Sequence, residues 1–139
     1  MTGPLFTTSR LPAQPQAINW PLLPLPDGDG RLSWPDEATS VRQSIEIILR
    51  TGPGELLMRE RFGAGLEQML NRPNTVATRA ELQRTIRDAI SRHEPRVLLD
   101  EVSIAETSDS RRVDVTIAYR ILPRGQAVRL RAAVELGGA

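Results

Sequence analysis

Between Thr78 and Ile104 the apolar repeat changes from about 3.6 residues to 2, and the change falls on one tripeptide, Glu94-Pro95-Arg96. Few features constrain a chain more, because the segment must be a helix that ends in a rigid corner and leaves as a strand. Thr78 and Glu81 have the spacing of a capping box, which predicts that the helix starts there. Leu82, Ile86, Ala89 and Ile90 share one face of it. Arg84, Arg87, Asp88 and Arg92 share the other, with Arg84–Asp88 and Asp88–Arg92 spaced as i,i+4 charge pairs. Pro95 has no N–H and disfavours helical angles at Glu94, so the helix ends near His93. Glu94 and Arg96 then flank a fixed bend. They are expected to be free to meet a group outside their own helix, and truncating either should cost little stability.

Downstream of the corner three strands are expected. The first runs from Val97 to about Glu106, with Leu98, Val102 and Ile104 inward and Asp100 as a polar exception. The second, Arg112–Leu122, alternates strictly, with Val113, Val115, Ile117, Tyr119 and Ile121 inward. After a turn at Pro123-Arg124-Gly125, the third spans Ala127–Leu136, with Val128, Leu130, Ala132, Val134 and Leu136 inward. Such alternation implies one buried and one wet face, an antiparallel meander lined by helices. Lying so near the C-terminus, the third strand is expected to be an edge able to pair with a strand of another chain.

Upstream, residues 1–35 carry seven of the eleven prolines and read as an extended arm. Its first half has a composition typical of disorder, whereas Ile18, Trp20, Pro21, Leu22, Leu23 and Leu25 form an apolar stretch expected to lie on a surface. Asp27-Gly28-Asp29-Gly30 lacks the remaining spacing of a calcium loop and reads as a turn. Residues 36–139 form a single α+β domain that opens with a helix from Asp36 to Arg50, with Pro35 suited to its first turn. Glu55–Arg59 is expected to be a strand or an extended connection, Phe62–Leu66 a structural turn, and Leu66–Leu70 a single helical turn.

With 139 residues, 40% hydrophobic and only 4% aromatic, the chain supports one aliphatic core and offers little for stacking bases or sugars. The net charge of +1 creates no long-range field, and all 18 basic residues are arginine. No cysteine is present, so thiol chemistry and thiolate metal sites are excluded, and no metal or other cofactor is expected. No basic-then-apolar leader and no membrane-length apolar run are found, which points to a cytoplasmic protein without membrane insertion. His93, the sole histidine, sits where it caps or packs rather than abstracts protons. Glu94 with Asp100 or Glu101 could be offered as a glycosidase pair, but aromatic sugar platforms are missing and no enzyme is expected. Arg111–Arg131 holds six arginines against Asp114, so a nucleic-acid module is an alternative. With Tyr119 pointing inward there is no stacking surface, and a protein partner suits the patch better.

Four pieces in this order carry a resemblance: Asn19-Trp20-Pro21 in the arm, Thr51-Gly52-Pro53-Gly54-Glu55 after the first helix, Phe62-Gly63-Ala64-Gly65-Leu66, and Glu94-Pro95-Arg96 ahead of the strands. Over residues 18–136 the chain resembles the gene-25-type baseplate wedge family of contractile phages, with relatives in type VI secretion, R-type pyocins and antifeeding-type particles. Asn19 and Ala64 depart from the pattern, which has glycine and often cysteine there. The resemblance implies a structural protein of a phage tail or tail-like particle, six copies around the tail tube, attached to larger wedge proteins and initiating the sheath. It further implies that Glu94, Pro95 and Arg96 meet the wedge, that Trp20 and Pro21 anchor the arm, and that the C-terminal strands join sheath subunits. Arg112, Arg120, Val128, Arg129, Leu130, Arg131 and Val134 would then be the sheath-binding residues. Some relatives are called lysozyme-like, but the residues here offer no support for that chemistry.

Overall fold

The computed structural model describes residues 26–32 and 34–137. Trp20, Pro21 and the rest of the arm's apolar stretch lie outside the described residues. Three helices, α1 (Glu37–Arg50), α2 (Glu67–Leu70) and α3 (Val76–His93), precede three strands, β1 (Val97–Glu106), β2 (Arg112–Ile121) and β3 (Gln126–Glu135). The strands form an antiparallel meander in the order β1-β2-β3, with the helices on one face, the α+β architecture expected.

Each element follows from local chemistry. Ahead of α1, the Asp27 carboxylate accepts from the N–H groups of Asp29 and Arg31, which makes the expected turn. Asp36 caps α1 by accepting from the Thr39 N–H at 2.9 Å, so Pro35 precedes the cap instead of opening the helix. Val41, Ile45 and Ile48 are fully buried along one stripe. α3 begins before the predicted Thr78: Thr75 is the cap, accepting from the Thr78 N–H at 3.1 Å, and the Thr78 side chain is buried. The supposed capping box does not form, because Pro73 and Asn74 provide the turn one step earlier. Glu81 is taken by Arg72 at 2.6 Å instead. Leu82, Ile86, Ala89 and Ile90 are buried as expected. Among the described residues Arg84–Asp88 and Asp88–Arg92 form no ion pair; on an exposed face the Coulomb gain does not offset the ordering of two long side chains.

The second strand obeys its alternation: Val113, Val115, Ile117, Tyr119 and Ile121 are all buried. The first does not. Between Leu99 and Glu101 the register with β2 slips by one residue, so Asp100 is a bulge and its carboxylate meets Arg120 at 2.9 Å. Val97 faces inward before the bulge and Val102 after it. Leu98, expected in the core, is 45% exposed for that reason. On β3, Val128, Leu130 and Val134 pack half-buried against the core, and Leu136 is buried just beyond. Among the described residues no strand pairs with the outer side of β3.

The C-terminus of α1 is closed by the Phe62–Leu66 loop. The Ala64 N–H donates to the Ile48 carbonyl at 2.9 Å and the Gly65 N–H to that of Thr51 at 3.2 Å, satisfying carbonyls the helix leaves open. The approach requires glycine at 63, where φ is +102° and an added Cβ would lie 2.1 Å from the Thr51 oxygen. Gly63→Ala should therefore lower unfolding stability by at least about 2 kcal/mol. Gly28→Ala, with nothing near its Cβ, should stay within about 0.5 kcal/mol of the parent in the same denaturant titration.

Candidate interaction surface

The corner is built differently from its sequence expectation. Glu94 is the C-cap of α3, its N–H bonded to the Ile90 carbonyl at 2.9 Å, and the chain then turns through Pro95 and Arg96, the Val97 N–H donating to the Glu94 carbonyl at 3.2 Å. The turn brings the side chains of Glu94 and Arg96 together while Pro95 is exposed. Arg96 donates through Nε to one Glu94 carboxylate oxygen at 2.7 Å and through Nη2 to the other at 2.8 Å. Its Nη1 donates to the Ser40 hydroxyl on α1 at 3.2 Å. Glu94 is only 3% exposed and Arg96 32%. The two charges are not both free to meet an outside group, and the corner is an internal lock on α1.

Burial pushes the Glu94 carboxyl up. Hydrogen bonds from Arg96 and Ser44 and the positive charge of Arg96 outweigh that, leaving it below the usual carboxylate range. A carboxyl whose folded value is depressed stabilises the fold fully above its unfolded value and loses that contribution as pH falls through the folded one. The expectation that truncation would cost little is thereby reversed. Arg96→Ala strands a buried carboxylate and should cost about 2–3 kcal/mol at neutral pH, less than a fully buried pair because Arg96 reaches solvent. The deficit should shrink on acidification below pH ~4, as Glu94 protonates in both states, and urea titrations across that range measure it.

What the corner shows to solvent is Pro95, part of Arg96, and two leucines. The Leu122 N–H donates to the Arg96 carbonyl at 2.8 Å, and Leu122 is 42% exposed. Leu98 stands opposite Arg120 on the outer sheet face. The alternation expected for β1 turned Leu98 inward, and the one mark of the bulge in the sequence is Asp100, which interrupts that alternation without showing which way it acts.

The residues assigned to sheath binding divide between the two faces. Arg112, Arg120, Arg129 and Arg131 lie on the outer face, but Arg112 is paired with Glu135 at 2.7 Å and Arg120 with Asp100 at 2.8 Å. Arg129 and Arg131 form no ion pair among the described residues. Val128, Leu130 and Val134 face inward, and the latter two, with Leu49, Leu66 and Leu70, line a groove of about 570 Å³ between β3 and the helices α1 and α2. Beyond β3 the Gly137 N–H donates to the Leu70 carbonyl, pinning the strand's end to α2. His93 packs on Phe62, ring centroids 4.8 Å apart, as its position suggested. Among the described residues no cluster of His, Asp and Glu could hold a metal and no helix is long and apolar enough to cross a membrane.

The profile of the family described as baseplate wedge protein gp25 matches residues 36–125, from the α1 cap to the β2–β3 turn. Baseplate protein W of Escherichia phage P2 is 34% identical over 90 residues, covering 65% of this chain and 77% of that protein. Among solved structures, a Geobacter sulfurreducens protein named as a tail lysozyme superposes with a TM-score of 0.69 at 24% identity, over 76% of this chain and 96% of that one. A chain of the anti-feeding prophage baseplate gives 0.59 at 24% identity, covering 89% of this chain and 88% of the other. At these identities the two structures establish a shared fold.

Proposed function

The chain belongs to the baseplate wedge protein gp25 family, a family of structural baseplate components of contractile injection systems, and on that premise we propose that it is a joint that mounts on the wedge and starts the sheath. The observation that carries the reading is the open outer side of β3, a strand held in place from within by Val128, Leu130 and Val134 and tied at its end to α2. A strand of a sheath subunit adding there would satisfy the edge's free N–H and carbonyl groups, with the side chains at alternate positions setting its register. Arg129 and Arg131 are the charges on β3 left for that purpose.

The mount is the corner. Its Glu94–Arg96 pair fixes the bend, and Pro95, the exposed part of Arg96, Leu98 and Leu122 form the face turned to the wedge. Six copies around the tail tube, assembled in the cytoplasm, complete the reading. The name tail lysozyme is that of the Geobacter protein, and the shared fold transfers no glycosidase chemistry; the role read here is structural. The arginine face argues little for nucleic acid, since Arg112 and Arg120 are neutralised by Glu135 and Asp100.

Two variants separate the functions. Arg129→Glu/Arg131→Glu, at exposed positions, should leave the chain on purified particles while sheath content falls about tenfold. Leu98→Asp should lower retention of the chain on particles by about tenfold with its thermal unfolding unchanged. Quantitative mass spectrometry of gradient-purified particles reads both, and normal sheath on the first variant would refute strand addition at β3.

A further inference from the structure

The connection between α1 and α2 holds a feature that neither the corner nor the β3 edge uses. Glu55–Arg59, expected to be extended, is instead a tight turn. The Gly52 N–H donates to the Glu55 carboxylate at 2.8 Å, Gly54 N–H to the Glu60 carbonyl at 2.8 Å, Arg59 N–H to that of Leu56 at 3.1 Å, and Phe62 N–H to that of Arg59 at 2.9 Å. At its tip Leu57 is 92% exposed and Met58 fully exposed, side by side. Met58 has a φ of +64°, a left-handed conformation that costs free energy for any residue but glycine. The base of the turn is fixed as well: the Arg59 guanidinium lies 5.1 Å from the Phe62 ring centre, Phe62 packs on His93 of α3, and Gly65 and Ala64 are bonded to the end of α1.

A surface segment under no other constraint would place polar residues at 57 and glycine at 58. This one holds two large apolar side chains in open water on a backbone that is ordered in advance. We propose that Leu57 and Met58 are a preformed knob that seats in an apolar, acid-rimmed pocket on another protein of the particle, a contact separate from the corner and from the β3 edge. The proposal rests on the baseplate reading, which supplies a multi-protein particle for the knob to dock in.

Three observations choose this occupant. Ordering the loop is not charged to binding, because the turn's hydrogen bonds already hold it, which favours a shaped site over a fluid one. Two side chains are too little apolar surface for a stable lipid anchor, while one or two buried anchors dominate many protein interfaces. The flank carries Arg59 and Arg61 against Glu60, none of them in an ion pair among the described residues, so the complementary rim is acidic. A shallow hollow of about 440 Å³ between Met58, Arg61, Phe62 and His93 gives the pocket's lip a place to rest.

The test uses the full chain in producing cells. A benzophenone side chain at position 57, and as control at exposed Val76 on α3, is photo-activated on purified particles; separately, Leu57→Ser/Met58→Ser is compared with the parent for retention on particles and for thermal unfolding. The expected result is a crosslink from position 57, absent from position 76, to one larger particle protein at an apolar site with acidic neighbours. With it goes an about tenfold loss of retention for the double variant at an unchanged unfolding midpoint. A crosslink to a second copy of this chain overturns the proposal. So does loss, in the double variant, of parental binding to phosphatidylglycerol vesicles, and so does unchanged retention with no crosslink. If the parent chain itself is missing from particles, the baseplate reading fails and the knob with it, an outcome visible before any variant is made.

Discussion

The pairing of Glu94 with Arg96 is the contact on which the rest of the architecture depends. It closes where α3 becomes β1, and through Ser40 it reaches α1, fifty-six positions earlier in the chain. A buried carboxylate is costly to desolvate, and here the cost is offset by a bidentate guanidinium, a hydroxyl and the charge of the same arginine. Because both groups are held by backbone on either side of a proline, the angle between helix and strand is set by covalent geometry as much as by packing. The sheet then inherits its orientation toward α1 and α3, and the apolar faces of β1 and β2 meet the helices in one core.

From that core the chain directs its uncommitted surfaces in different directions. The corner offers a proline and two leucines around a charge already engaged inward. β3 offers an unpaired edge, supported on its inner face by contacts to the core and at its end by α2. The turn after α1 offers two apolar side chains on a fixed backbone. On the proposed reading, three such surfaces suit a part that holds neighbours at set angles. Loosening the Glu94–Arg96 pair would also change the direction of everything attached to the strand, beyond its effect on the exposed part of Arg96.

Much of this could be read from the residues. The strict alternation from Val113 to Ile121 left β2 only one orientation, and the spacing of Leu82, Ile86 and Ile90 did the same for α3. What could not be read came from interactions between distant or ambiguous residues. Asp100 looks identical in sequence whether it is a polar exception on a regular strand or the extra residue of a bulge, and the difference turns Leu98 from core to surface. Glu94 reads as a surface charge because its environment is made by Ser40 and Ser44 on another helix. Thr75 and Thr78 are both competent caps, and only the turn made by Pro73 and Asn74 decides between them. Leu56-Leu57-Met58 resembles a strand by composition, and the left-handed residue that makes it a turn is not a glycine, so it left no mark.

The proposed role requires that the outer side of β3 receive another chain's strand. Amide hydrogen exchange over Gln126–Glu135, compared between the isolated protein and sheathed particles, measures this directly. If a strand is added there, the amides of β3 that point away from β2 exchange rapidly in the free chain and become strongly protected in the particle, while those bonded to β2 are protected in both. Equal and rapid exchange of the outward amides in both states would show that no strand is added there, and the joint would have no seat for the sheath.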